Sequence, residues 1–338
     1  MLFLRERETK DMDSMLLTGD QSGLPSNLAF NTFSAHVPAT RHTLLMCRPT
    51  LYDVNYVINP WMSGNLGKSN RARAMQQWQA LYDALSGLAN VVLIEPVAGS
   101  PDMVFTANAG LERDGQVVIS SFFYRERQGE EQHFRRWFVD AGYKIVNLGR
   151  ETPFEGEGDA LFAADGSRLW VGYGTRTVKS SHAALRAVWN VEVASLHLID
   201  PRFYHLDTCF APLEDGSLLY YPAAFDAASL ALIETFYPQD RRIAVTAADA
   251  KRFACNAVNI DNTIVMNRIS PELESTLAAR GFDVVQVQLD EFLKAGGAAK
   301  CLVMKLTPGY GNAGEVHDGM QRTTKVDFLR DDNHCSEI

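Results

Sequence analysis

Nothing in this 338-residue chain pairs its cysteines. There are five (Cys47, Cys209, Cys255, Cys301 and Cys335), an odd number without disulfide or zinc-ligand spacing. That usage suits a reducing cytosol, and the expected location is cytoplasmic. No apolar stretch is long enough to span a bilayer, and the opening MLFLRERETK is too short an apolar run for a signal peptide. Basic residues neither dominate nor cluster: 32 Lys and Arg stand against 41 Asp and Glu, a net charge of −9. Nucleic acid and anionic membranes are poor partners for such a surface, whereas a small cation is a good one. Glycine-rich phosphate loops are absent too. GYGNAG near residue 309 neither follows a good strand nor opens a helix.

What is present is a repeat. Asp114-Gly115, Asp165-Gly166 and Asp215-Gly216 fall at intervals of 51 and 50 residues (from 114 to 165, and from 165 to 215), and Asp261-Asn262 follows 46 residues after Asp215. Each lies between short apolar runs, as in GLERDGQVVIS and APLEDGSLLYYP. Asp-Gly in that setting signals a two-residue hairpin, because a type I′ turn needs φ > 0 at both central positions. A fixed period of this size means an internally repeated fold.

Five modules of hairpin, helix and return strand follow. The first joins TLLMCRP to a helix around 69–88 and the strand VVLIEP. The next three combine the hairpins at Asp114, Asp165 and Asp215 with helices near 129–142, near 180–190 and after Phe225, where Asp226 is the N-cap; their return strands are KIVNL, VEVASLHL and RIAVT. The last has the hairpin at Asp261, a helix near 271–281, VVQVQL, Gly296-Gly297 and the strand CLVMKL. The expectation is one domain over 41–306, a loose or edge-added leader over 1–40, and a polar tail over 307–338.

The repeat also sorts the reactive groups. Glu155 lies ten residues before Asp165, and His205 ten before Asp215, so neighbouring modules place a carboxylate and an imidazole at equivalent positions. A carboxylate bonded to one ring nitrogen fixes the tautomer and supports the charged form. Asp207 follows two residues after His205, on the same face if that segment is extended. Asp102 and Asn108 flank the corresponding strand of the second module. Cys301 follows Gly-Gly-Ala-Ala-Lys and opens a strand, where a neighbouring imidazolium and a cationic substrate would favour its thiolate. Cys209 and Cys255, each six residues before a turn Asp, read as packing.

These segments resemble the guanidine-modifying superfamily built on the five-bladed α/β propeller called the pentein fold: arginine deiminases, dimethylarginine hydrolases and amidinotransferases. The likeness is greatest to the arginine dihydrolase domain of bifunctional arginine dihydrolase/ornithine cyclodeaminases. It is carried by CRPTLYDVNYVINPWMSGN, PDMVFTANAGL, RERQGEE, PFEGEGDALF, FYHLDTCFAPL, YYPAAFDA, FACNAVNIDN and FLKAGGAAKCL, from about Met46 to Leu306.

The resemblance implies Cys301 as nucleophile, His205 as general acid/base, and Asn59, Asp102, Asn108, Arg127, Arg176, His205, Asp207 and the backbone near Ala295 in contact with substrate. Related hydrolases carry an acidic-Gly-Gly-Asp run where this chain has Glu155-Gly156-Glu157-Gly158-Asp159. Glu155 and Glu157 are therefore rivals, with the repeat register favouring Glu155. Arg127 and Arg176 suit a substrate carboxylate, which a planar guanidinium can bind bidentately. No metal and no organic cofactor are called for.

The implied activity converts arginine to ornithine, carbon dioxide and two ammonia. The alternatives are a deiminase or methylarginine hydrolase that stops at citrulline, an amidinotransferase, and a non-catalytic propeller. The bifunctional proteins continue into a cyclodeaminase domain where this chain stops, so no ornithine-consuming second activity is expected.

Overall fold

The strands are short, three to six residues each, and each is too small to bury a face alone. In the computed structural model, which describes residues 42–308, they gather into five three-stranded sheets. The strands are β1 (Thr43–Cys47), β2 (Asn90–Ile94), β3 (Gly110–Arg113), β4 (Gln116–Ile119), β5 (Lys144–Asn147), β6 (Ala160–Phe162), β7 (Arg168–Tyr173) and β8 (Glu192–His197). They continue as β9 (Phe210–Pro212), β10 (Leu218–Tyr220), β11 (Arg242–Ala244), β12 (Val258–Ile260), β13 (Thr263–Met266), β14 (Asp283–Gln286) and β15 (Met304–Leu306). In β3-β4-β5, β6-β7-β8, β9-β10-β11 and β12-β13-β14 the first two strands are antiparallel and the last two parallel.

A parallel return needs a crossover, and helices supply it. The longer ones are α1 (Arg71–Ser86), α3 (Glu131–Asp140), α4 (Ser181–Trp189), α5 (Ala227–Phe236) and α7 (Pro271–Ala279); α2 (Arg125–Gln128), α6 (Ala247–Ala250) and α8 (Asp290–Leu293) are single turns. Asn70, Asp226 and Ser270 cap α1, α5 and α7 by accepting the N–H three residues on. Helix α1 buries Ala74, Trp78, Leu81 and Leu85, a stripe at helical spacing.

The fifth sheet closes the ring. CLVMKL does not end the last module, as its place in the sequence suggested; β15 pairs antiparallel with β1, setting Thr43 opposite Leu306 and Leu45 opposite Met304. One blade is thus built from both ends of the domain, and the architecture is the five-bladed α/β propeller.

The turns differ in kind. Only Asp114-Gly115 has both central residues left-handed (φ 53° and 76°). In the Asp165 and Asp215 turns the glycine alone is left-handed (φ 67° and 80°), and the aspartate instead accepts from the backbone N–H of Ser167 or Ser217. The serine two residues on, which Asp114 lacks, makes the longer Asx-type turn available. The proposed leader, the proposed tail from residue 309 onward, Cys335 and GYGNAG all lie outside the described residues.

Candidate active site

The blades that begin with β3, β6 and β9 are each preceded by a tight 3-10 turn, and these turns aim the polar side chains. Glu155 begins the turn Gly156–Gly158, and His205 begins the equivalent turn Leu206–Thr208. His205 Nε2 lies 2.7 Å from Glu155 Oε2, with both side chains buried. Glu157 points elsewhere: its Oε2 accepts from Lys300 Nζ at 2.6 Å and from the Lys305 backbone at 3.0 Å. Of the two rivals, Glu155 is the one that meets the imidazole.

Asp207 departs from the expected geometry. Because residues 206–208 form a 3-10 turn rather than an extended run, Asp207 does not share a face with His205. It turns to Cys301, with Oδ2 3.3 Å from Sγ. Cys301 departs as well: it lies in a turn three residues before β15 rather than opening the strand. Gly297 makes that turn feasible, since a side chain there would run into the Phe105 ring 2.5 Å away.

Cys301, His205, Asn59, Asp102, Asn108, Arg127, Arg176 and Ala295 all line one small cavity. Glu155 and Asp207 stand just behind it, each holding one of the reactive groups. A larger cavity lies at the hairpin ends, but its charged groups are spent on one another, Glu157 with Lys300 and Glu214 with Lys305.

Both arginines are buried rather than on the surface. Arg176 Nη1 donates to Glu155 Oε2 (2.8 Å) and Nη2 to the Ile58 carbonyl (3.0 Å), between the rings of Tyr124 and Tyr204. Its Nε is buried without a partner among the described residues. Asp102 accepts from Tyr56 at Oδ2 (2.8 Å), while its buried Oδ1 accepts from no donor among them. The site therefore holds an unused cationic donor and an unused anionic acceptor, the two kinds of group an amino acid's own carboxylate and ammonium require. Asn59 Nδ2 donates to the Ala295 carbonyl (2.9 Å) and orders that backbone.

Electrostatics separate the carboxylates. Burial acts to raise the Glu155 carboxyl, but Arg176 and then His205 outweigh it and hold it well below the usual range. Asp207 is pushed up to about 7 by burial, against the pull of Lys300. Asp159, buried nearby with Oδ2 on Thr177 (2.7 Å), is pushed up to about 6, again by burial. Burial and then Asp207 raise the Cys301 thiol well above its ordinary value. Both influences favour the protonated sulfur.

Several members of the site escaped the sequence reading. Asn256 Nδ2 donates to Cys301 Sγ (3.0 Å), and its Oδ1 accepts from the Cys301 and Ala298 backbones (3.1 Å each). Thr177 ties Asp159 to the Glu155 backbone (3.1 Å from its N–H), and Tyr204 donates to the Gly296 carbonyl (2.7 Å). Asn256 sits just ahead of its hairpin, as Asn108 does, and that register was its signal. Cys47, Cys209 and Cys255 are buried thiols raised by burial and lie outside the cavity, as packing requires.

The profile of the N,N dimethylarginine dimethylhydrolase (eukaryotic) family matches residues 54–307. The chain belongs to that family.

Among its relatives, the bifunctional arginine dihydrolase/ornithine cyclodeaminase AgrE of Nostoc sp. is 53% identical over 287 residues, covering 85% of this chain and 40% of that protein. The dimethylarginine dimethylaminohydrolase of Mycobacterium tuberculosis is 39% identical over 272 residues, 80% of this chain and 87% of that protein. The crystal structure of the N-terminal domain of ArgZ, a cyanobacterial arginine dihydrolase captured with substrate as a cysteine-to-serine mutant, superposes with a TM-score of 0.78 at 52% identity. That match covers 78% of this chain and 97% of the domain. This family member spans 40% and 37% of the lengths of the two bifunctional cyanobacterial relatives. No helix among its described residues is long and apolar enough to cross a membrane.

Proposed function

We propose that this family member is an arginine dihydrolase, converting L-arginine and two waters to ornithine, carbon dioxide and two ammonia. The observation that carries the reading is a cavity lined together by a thiol, an imidazole held by a buried carboxylate, and an amide: Cys301, His205 with Glu155, and Asn108. The likeness to AgrE and ArgZ supports it.

The geometry suits each step. A guanidinium is planar, cationic and a poor electrophile. Bound beside Asp207 it raises the thiolate fraction of Cys301, whose sulfur attacks the central carbon. His205, oriented by Glu155, delivers a proton to the departing ammonia, then takes one from the water that breaks the carbon–sulfur bond. Citrulline is the product of this first round. In the second, sulfur attacks the ureido carbon, ammonia leaves again, and water releases a carbamate that breaks down to ornithine and carbon dioxide. Asp102 and Arg176 bind the ammonium and carboxylate of the amino acid.

Asn108 favours completion of both rounds. Arginine deiminases resemble FTRD where this chain has FTAN, and a carboxylate there faces neutral citrulline with an unpaired charge. An amide has a donor to offer it. The substrate is a small molecule, and the buried, unpaired cysteines suit a cytoplasmic enzyme.

Incubation of the purified protein with arginine, with ammonia, citrulline and ornithine quantified, tests the proposal. Two ammonia per ornithine is expected; citrulline as the sole product overturns it. The likeness to the mycobacterial enzyme favours a second reading, hydrolysis of dimethylarginine to citrulline and dimethylamine. Turnover of dimethylarginine faster than arginine would select it.

A further inference from the structure

Glu130 does not line the cavity, yet it controls one of the cavity's walls. It sits between α2 and α3 with no solvent exposure at all. Its carboxylate takes Arg127 in a fork, accepting from Nε at 3.0 Å and from Nη2 at 2.8 Å. Arg127 Nη2 also donates to the Asp102 carbonyl (3.1 Å), Nη1 donates to Asn108 Oδ1 (2.8 Å), and the guanidinium lies over the Phe122 ring. A guanidinium has five N–H groups in a rigid plane. With these bonds made, Arg127 retains a single N–H, on Nη1, so the bidentate grip expected for substrate is already given to Glu130.

The consequence falls on Asn108. Because Arg127 can only donate, the amide must turn its oxygen to Arg127 and its nitrogen the other way. That nitrogen donates to the Glu155 carbonyl (3.2 Å), and a side chain on Gly158 would collide with it while touching His205 Nδ1. One N–H of Asn108 is therefore left over, on a nitrogen that lies against Gly158, the residue that also adjoins the His205 ring. Such a donor gains nothing from a guanidinium, which is itself all donors, and matches the one acceptor of a neutral ureido group.

We propose that Glu130 is a positioning residue for specificity: by locking Arg127 it holds the Asn108 amide in the one orientation that retains citrulline for the second hydrolysis. The specificity half of this inference rests on the dihydrolase reading. Releasing Arg127 frees the amide to flip, which presents oxygen to the ureido oxygen and lets citrulline escape.

The test is a double-mutant cycle on Glu130→Gln and Asn108→Ala, assayed with arginine for ammonia, citrulline and ornithine, with thermal melting of each variant. Glu130→Gln keeps the volume and one acceptor while removing the charge. The expected result is a fall of about tenfold in the ornithine-to-citrulline ratio, the effect of losing one hydrogen bond. The Michaelis constant for arginine should change less than about threefold. Glu130→Gln should add nothing further in the Asn108→Ala background. A purely structural role lowers both products together and leaves the ratio unchanged, which overturns the proposal; so do fully additive effects. If Glu130→Gln does not fold, Glu130→Asp, which withdraws the carboxylate by one methylene, carries the same prediction. Should the parent enzyme release only citrulline, the dihydrolase reading and the retention of citrulline fall together. Additivity in kcat/KM for arginine then decides against Glu130 acting through Asn108, and non-additivity for it.

Discussion

His205 Nε2 and Glu155 Oε2 meet at 2.7 Å although 50 residues separate them in the chain. Each begins the 3-10 turn that leads into its blade, so one repeat spacing delivers the imidazole from one module and its carboxylate partner from the module before it.

Exchange of each glutamate separates the two candidates for that role. Glu155→Gln removes the charge that holds His205 and pairs with buried Arg176, so kcat should fall about 100- to 10,000-fold and the melting temperature should drop as well. Glu157→Gln should keep kcat within about threefold but melt earlier. It leaves Lys300 without its carboxylate, and losing one partner of a buried pair costs about 3–5 kcal/mol, less here because Gln retains an acceptor. Steady-state kinetics with melting curves decide; a Glu157→Gln enzyme as slow as Glu155→Gln would reverse the assignment.

Asp207 raises the Cys301 thiol, so removing its charge has opposite effects on reactivity and turnover. In the absence of arginine, Asp207→Asn should speed iodoacetamide labelling of Cys301 at pH 7 by roughly fivefold or more. Arginine turnover should nevertheless fall about 100-fold, because the guanidinium loses its anionic neighbour. Mass spectrometry of the labelled peptide provides the check, and an unchanged labelling rate refutes the coupling.

Asn108→Asp is a clean probe of charge, because Arg127 can still donate to the new carboxylate and the fold should hold. The variant loses its donor to the Glu155 carbonyl and turns oxygen toward it. Citrulline should accumulate, with ornithine formation reduced about tenfold or more. Ornithine at the parental rate would remove Asn108 from the account of specificity.

The pH dependence of stability follows from Asp207 and Asp159, raised by burial to about 7 and about 6. A carboxyl raised on folding contributes stability that is complete below its unfolded value, about 3.9, and lost as pH rises through the folded one. The unliganded enzyme should therefore lose this contribution between about pH 4 and pH 7, and Asp207→Asn should flatten the decline. Calorimetry at pH 5 and pH 7 tests it, each ~1 kcal/mol reading as roughly 2–4 °C in a domain of this size. An equal slope in parent and variant would count against a raised Asp207.

The five modules, their helices and the cap at Asp226 were legible along the chain, because helix and hairpin signals are local: a turn dipeptide, a cap, a spacing of apolar residues. The partnership of Glu155 and His205 was legible for the same reason, since equal spacing in a repeat becomes equal position in a ring. Three features were decided only by the folded ring. The pairing of β15 with β1 joins segments about 260 residues apart, and no local pattern specifies it. Asp207 reaches Cys301 rather than sharing a face with His205, because a 3-10 turn rotates the side chain where an extended strand would not. Glu130, Arg127 and Asn108 form one buried hydrogen-bonded line, since in a closed, dry core each donor must find whichever acceptor packing brings near.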